Sequence, residues 1–185
     1  NTDDKKDYLR QALSRLPALL DKYADRFSEA NLIGVFAIGA GYWDDFYPNA
    51  RPKELTNFPL MACEDRTAPA NNYDLYIEIR SDRADVNHIV TTKVCALLGD
   101  SVELSEQVRA FRFLDGRDLT GFVDGTENPK GMHRREVALV SEDEDSEFAK
   151  GSYLHVQRYR HNLNLWNTLE ASKTMLEAIK ESGKP

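Results

Sequence analysis

Leu9, Leu13, Leu16, Leu20, Tyr23 and Phe27 recur at spacings of three and four residues, with polar and charged positions between most of them. That period collects the apolar side chains on one stripe, so it predicts an amphipathic helix packed on another element. Pro17 falls inside the stripe and is expected to bend or split the helix. Residues 32–39, LIGVFAIG, form a short apolar run closed by glycine, which predicts a buried strand. Residues 40–72 carry four prolines together with Trp43, Phe46 and Tyr47, and read as an elaborated connection. Tyr73, Leu75, Ile77 and Ile79 then alternate with Asp74, Tyr76, Glu78 and Arg80, the period of a strand with one buried face.

A second helix is predicted from Asp82 or Asp85, with Val86, Val90, Val94 and Leu97 at helical spacing and Gly99 placed to end it. Residues 102–114 predict a further strand. The order helix, strand, strand, helix, strand is a ferredoxin-like β-α-β-β-α-β unit without its opening strand. The opening strand of such a sheet is central, so the expectation is that it lies upstream of Asn1 or that another segment fills its place. Farther on, residues 136–140 and 153–159 predict two strands, separated by the acidic run SEDEDSEF, a solvated connection. Leu165, Leu169, Leu176 and Ile179 suggest a terminal helix from Asn162 onward. The expected class is therefore α+β and ferredoxin-like, of the dimeric α+β barrel type. A first domain is expected over residues 1–115 and an incomplete second one over residues 116–185.

Composition narrows the partners. The 185 residues are 41% hydrophobic, and 31 acids against 24 Lys and Arg give a formal charge of −7. A phosphate backbone needs a basic face, so nucleic acid is excluded as an expected partner. No window approaches the roughly 18 apolar residues of a membrane span, and no leader-like segment opens the sequence, so the expected location is the cytoplasm. Cys63 and Cys95 lie far apart without a CxxC pattern or paired histidines, which predicts reduced structural thiols rather than a zinc site or disulfide framework.

Candidate chemistry concentrates in Gly121-Phe122-Val123-Asp124-Gly125-Thr126-Glu127-Asn128-Pro129. By composition alone this is a turn: Asp-Gly favours positive backbone dihedrals, Thr and Asn bond locally to the backbone, and proline stops regular structure. The full string says more. GFVDGTENP resembles the signature loop of the dye-decolourising peroxidases, whose Gly-x-x-Asp-Gly core is matched by Gly121, Asp124 and Gly125. FRFLDGRDLTGFVDGTENP, RREVALV and GSYLHVQRYRHNLNLWNTL look like successive segments of the same family in the same order, over about residues 9–169.

The resemblance implies two ferredoxin-like domains, a heme b cofactor, and hydrogen peroxide with a small organic reductant, a dye or phenol, as substrates. It implies that Asp124 is the distal acid-base group, relaying a proton between the peroxide oxygens. A carboxylate there suits acidic conditions, since it keeps its basic form at lower pH than histidine. Gly121, Phe122, Val123, Gly125, Thr126, Glu127 and Asn128 are then cofactor-lining positions; the glycines let the backbone approach the porphyrin, and Glu127 and Asn128 orient the loop or bond near the heme edge.

The family's axial histidine and distal arginine lie beyond its HNLNLWNTL-like segment, and EASKTMLEAIKESGKP does not look like the family's continuation. No axial ligand is identifiable, and His88, His133, His155 and His161 read as surface or satisfied histidines. Trp43, Phe46 and Tyr47 read as packing rather than an electron-transfer path. The alternative to a peroxidase is a truncated ferredoxin-like assembly or binding protein without stable heme. A related heme-handling protein outside the peroxidases is disfavoured by the loop. An incomplete sheet leaves unpaired strand edges, which predicts a homo-oligomer.

Overall fold

The computed structural model describes residues 2–170 together with Lys173, Thr174 and Glu177. The chain divides into two compact units, residues 1–105 and 106–185.

In the first unit the N-terminal stripe forms two helices, α1 (Thr2–Ser14) and α2 (Leu16–Arg26), so the single expected helix is split rather than bent. Pro17 sits in the first turn of α2, where its missing N–H and fixed φ cost nothing. Strand β1 (Ile33–Ile38) follows, then the four-residue helix α3 (Trp43–Phe46). The connection also holds a small exposed hairpin of β2 (Met61–Cys63) and β3 (Arg66–Ala68), and then comes β4 (Leu75–Arg80). Helix α4 (Ala84–Leu98) ends at Gly99, as the spacing predicts.

β1 and β4 pair antiparallel, with Gly34 opposite Ile79, Phe36 opposite Ile77 and Ile38 opposite Leu75. This register puts Phe36, Ile38, Leu75, Ile77 and Ile79 on the face that packs against the helices. The core behind them is Leu9, Ala12, Leu16 and Tyr23 from α1 and α2, joined by Val86, Val90, Val94 and Leu98 from α4. Leu98 rather than Leu97 completes the buried stripe of α4. Trp43 and Tyr47 pack ring to ring at 5.3 Å, and Phe46 is buried, which agrees with a packing role. At Gly39 a Cβ would stand 2.0 Å from Tyr73 O, so only glycine lets β1 run out this close to the start of β4.

Helix, strand, antiparallel strand, helix is the middle of a ferredoxin-like unit, and the class is α+β as expected. The expected strand over residues 102–114 does not form. Only an isolated bridge between Phe113 and Arg117 occurs there, and Leu104, Val108 and Phe111 are exposed. The cause is pairing: no described strand lies beside this segment to take up its backbone N–H and C=O groups.

The second unit departs further from the pattern. Residues 136–140 belong largely to a short helix, α5 (His133–Ala138), because Arg134, Arg135, Glu136 and Ala138 are strong helix formers and no strand stands beside them. Residues 153–159 carry no strand and are exposed. The acidic run is a closed loop rather than a plain solvated connection. Val140 N–H donates to Gly151 O and Lys150 N–H to Val140 O, both at 2.9 Å, and Asp145 inside the loop is only 6% exposed. Helix α6 (Leu163–Trp166) starts under an Asn162 side-chain cap on Leu165 N–H; the remainder of the expected terminal helix, Leu176 and Ile179, lies outside the described residues.

One ion cluster closes the end of the sheet pair where β1 begins and β4 ends. Arg83, just before α4, bonds Asp85 and Glu29 at 2.5 Å each and lies over the Phe27 ring. Hydrogen bonding to the Arg83 guanidinium holds the Asp85 carboxyl below its usual range, and a backbone bond followed by Arg83 does the same for Glu29. Groups with depressed folded-state pKa values stabilise the fold above their unfolded pKa values, and the contribution is lost as pH falls through the folded ones. Arg83→Met is therefore expected to flatten the loss of stability below about pH 4.5 in urea titrations, relative to the parent chain. An unchanged acid limb would show that the exposed cluster carries none of it.

Candidate functional site

Sixteen residues build the site, Phe113 to Asn128, by turning the chain back on itself repeatedly. Leu114, Asp115 and Gly116 all take positive φ, at 37, 61 and 98°, and Gly116 N–H and Arg117 N–H both donate to Phe113 O at 2.9 Å. The chain then turns again over 118–121, where the Asp118 carboxylate accepts from Thr120 N–H and from its hydroxyl. Asp118 N–H donates to Phe122 O, Arg117 bridges Val123, and Asp124 N–H donates to Gly116 O at 3.0 Å. Phe113-Leu114-Asp115-Gly116 and Phe122-Val123-Asp124-Gly125 share the sequence pattern Phe-x-Asp-Gly and are joined by the Asp124–Gly116 bond, but only Gly125 of the second segment takes positive φ.

The third turn closes on Gly125. Its φ is +72°, and a Cβ there would stand 2.7 Å from Asn128 Nδ2; Asn128 N–H also donates to Gly125 O at 3.1 Å. Asn128 therefore closes the loop over Gly125, its amide standing where a Cβ at 125 would push it aside. Asp124 is exposed at the start of this turn, and its carboxylate has no hydrogen-bond partner among the described residues. Phe122 and Val123 beside it are 44% and 50% exposed, an apolar pair next to a free acid. Thr126 and Glu127 are exposed as well, and Gly121 is buried.

Trp166, on α6, holds the base of the loop. Its Nε1 donates to Thr120 O at 3.1 Å and its ring lies 5.9 Å from that of Phe122. Between them is a cavity of about 60 Å³ lined by Phe113, Leu114, Leu119 and Gly121, a packing gap rather than a pocket for a cofactor. A larger cavity of about 350 Å³ in the first unit is lined by Leu13, Pro17, Phe36, Ile38 and Tyr76 and has no acid or histidine in its wall.

All four histidines are exposed: His88 on α4, His133 on α5 at 3.1 Å from Glu136, and His155 and His161 in the irregular segment before α6. No cluster of three metal-ligating side chains occurs among the described residues. Cys63 and Cys95 are free, as expected, but both are exposed and neither is a core residue. Sequence reasoning did not find Arg117 or Trp166. Arg117 was visible inside the quoted motif; the partner of Trp166 is a backbone carbonyl 46 residues away, which no local pattern encodes.

Residues 3–112 match the family model described as Dyp-type peroxidase, N-terminal, and residues 115–180 match Dyp-type peroxidase, C-terminal, so the likeness runs on through residues 170–180, where the sequence is expected to leave the family. The chain belongs to the Dyp-type peroxidase family. A dye-decolorizing peroxidase of Mycobacterium tuberculosis is 36% identical over 165 residues, 89% of this chain and 49% of that protein. Among solved structures, a candidate Dyp-type peroxidase from Shewanella oneidensis superposes with a TM-score of 0.86 at 47% identity, covering 94% of this chain and 56% of that one. A DypB variant from Rhodococcus jostii, solved in complex with heme, gives 0.86 at 31% identity, over 92% of this chain and 55% of that one. This chain thus spans about half the length of the curated relatives it matches. These likenesses bear out the α+β ferredoxin-like class and leave no ground for a heme-handling family outside the Dyp-type peroxidases.

Gly125→Ala in this Dyp-type chain is expected to cost about 1–3 kcal/mol, mainly through strain at positive φ, with a smaller part from turning the Asn128 side chain aside. Gly131→Ala, with φ +59° but nothing within 4 Å of its Cβ, is expected to cost less. Chemical denaturation of the two variants side by side measures the difference, and equal losses would refute the part assigned to Asn128.

Proposed function

We propose that this chain serves hydrogen-peroxide-dependent oxidation of dyes, phenols or similar small reductants with heme b, and that Asp124 is its acid-base group. The observation that carries the reading is the free, exposed Asp124 carboxylate on a hydrogen-bonded loop in a chain of this family. The loop suits one face of a porphyrin. Phe122 and Val123 offer apolar surface beside the acid, Gly121 and Gly125 add no side chain, and Thr126, Glu127 and Asn128 supply polar groups for a heme edge. The described residues do not assign an axial nitrogen, since each histidine stands exposed on another segment.

Bound heme supplies the redox chemistry of the iron. Asp124 supplies the proton transfer: its carboxylate takes a proton from one peroxide oxygen and returns it to the departing one as the O–O bond breaks. A carboxylate with no partner of its own is free to do both. Free Cys63 and Cys95 suit the reducing cytoplasm, where we place the protein. The formal charge of −7 supports small molecules rather than nucleic acid as its partners, and no helix among the described residues is long and apolar enough to cross a membrane.

Hemin titrated into the purified chain with imidazole, which provides the axial nitrogen, tests the assignment. A Soret band shifted from that of hemin and imidazole alone, and bleaching of an anthraquinone dye by peroxide faster than without the protein, are expected. Asp124→Asn should take up equal heme and react with peroxide about a hundredfold to ten-thousandfold more slowly. Equal rates would remove Asp124 from the chemistry, and absence of dye oxidation in both would overturn the reading for this chain.

We also assign a homo-oligomer, on the exposed apolar side chains of segments without strand partners: Val108, Phe111, Val156 and Tyr159, between 59% and 75% exposed. Static light scattering at rising concentration is expected to give more than the monomer mass. A strict monomer throughout the range would contradict it.

A further inference from the structure

Two consecutive carbonyls at the base of the candidate loop are each gripped by a side chain. Trp166 Nε1 donates to Thr120 O at 3.1 Å, and Arg117 Nη1 donates to Gly121 O at 2.7 Å, both in partly buried positions. We propose that Arg117 and Trp166 are positioning residues that fix the direction in which Asp124 presents its carboxylate. The inference rests on the reading of Asp124 as the acid-base group and adds what aims it.

Only Phe122 and Val123 separate Gly121 from Asp124, so the orientation of the Gly121 peptide plane bears on the direction of the Asp124 backbone. Gly121 has φ +96° and no Cβ, and its own backbone therefore constrains that plane weakly. Arg117 supplies the missing constraint from two sides. Its guanidinium holds Gly121 O while its backbone bridges Val123, and the preceding residue, Gly116, accepts Asp124 N–H. The planar fork of arginine fixes direction as well as distance, which a lysine would do less well. Trp166 repeats the arrangement one residue earlier, adding ring contact with Phe122 to its hydrogen bond. Both donors contact the loop's backbone, on the N-terminal side of the acid, and leave the Asp124 carboxylate untouched. A proton relay loses rate steeply when its donor is displaced by even an ångström.

Amide hydrogen exchange on the 185-residue chain and peroxide kinetics on the hemin- and imidazole-loaded chain read the proposal separately. Arg117→Met and Trp166→Phe are each expected to accelerate exchange of the Asp124 amide by about tenfold to a hundredfold. Amides of α4, in the other unit, serve as the control and should not change. Arg117→Lys keeps a donor and should restore part of the protection. Each variant should slow the peroxide reaction by about tenfold to a hundredfold at unchanged heme content, yet cause no further loss when combined with Asp124→Asn, because they act through Asp124. Unchanged amide exchange would overturn the clamp. Losses that add on the Asp124→Asn background would overturn the positioning role and leave a merely structural latch. A peroxide rate indifferent to Asp124→Asn itself would remove the reading beneath the proposal, whatever the exchange data show.

Discussion

A backbone N–H or C=O removed from water must find a partner, and that requirement governs which apolar segments of this chain become strands. β1 and β4 satisfy each other over six paired residues, and the helices cover one face of the pair to make the core. Residues 102–114 and 153–159 were expected as strands, yet no ladder forms on them among the described residues. Their apolar side chains remain at the surface as a result. Intrinsic preference for strand is thus necessary and insufficient; the neighbour decides.

The loop that carries Asp124 obeys the same rule by other means. Its carbonyls and amides are paired within sixteen residues through turns, an Asp118 side chain and an arginine. Such local closure needs no sheet, which explains how a unit with few buried residues still holds a defined loop. Unusual backbone angles at Leu114 and Asp115 are part of that closure. They persist because the bridge between Phe113 and Arg117 fixes the chain on either side.

Legibility in the sequence followed the range of the interaction involved. Elements determined by their own period were visible: the Leu9–Phe27 stripe, the alternation ending in Arg80, the Val86–Val94 stripe and the stop at Gly99. The split at Pro17 and the Asp-Gly turns were visible for the same reason, being properties of one or two residues. Residues 136–140 misled because EVALV reads as strand by its valines and as helix by its glutamate and alanine, and only the absence of a paired neighbour settles it. Asp124 could be picked out through the motif, whereas Trp166 reaches Thr120 only after the chain has passed through the acidic loop and returned.

The placement of the two tryptophans makes each unit report on itself. Trp43 is packed against Tyr47 in the first, with its indole nitrogen bonded to Ala50 O, and Trp166 is bonded to Thr120 in the second. The sequence contains no third indole. Replacing either one with phenylalanine leaves a single fluorophore whose emission maximum follows the unfolding of its own half, so cooperativity between the halves becomes a quantity that can be read from two superimposed melting curves. A porphyrin settling near Phe122 would quench the Trp166 signal by energy transfer over tens of ångströms, converting the indole that braces the loop into an optical gauge of what approaches it.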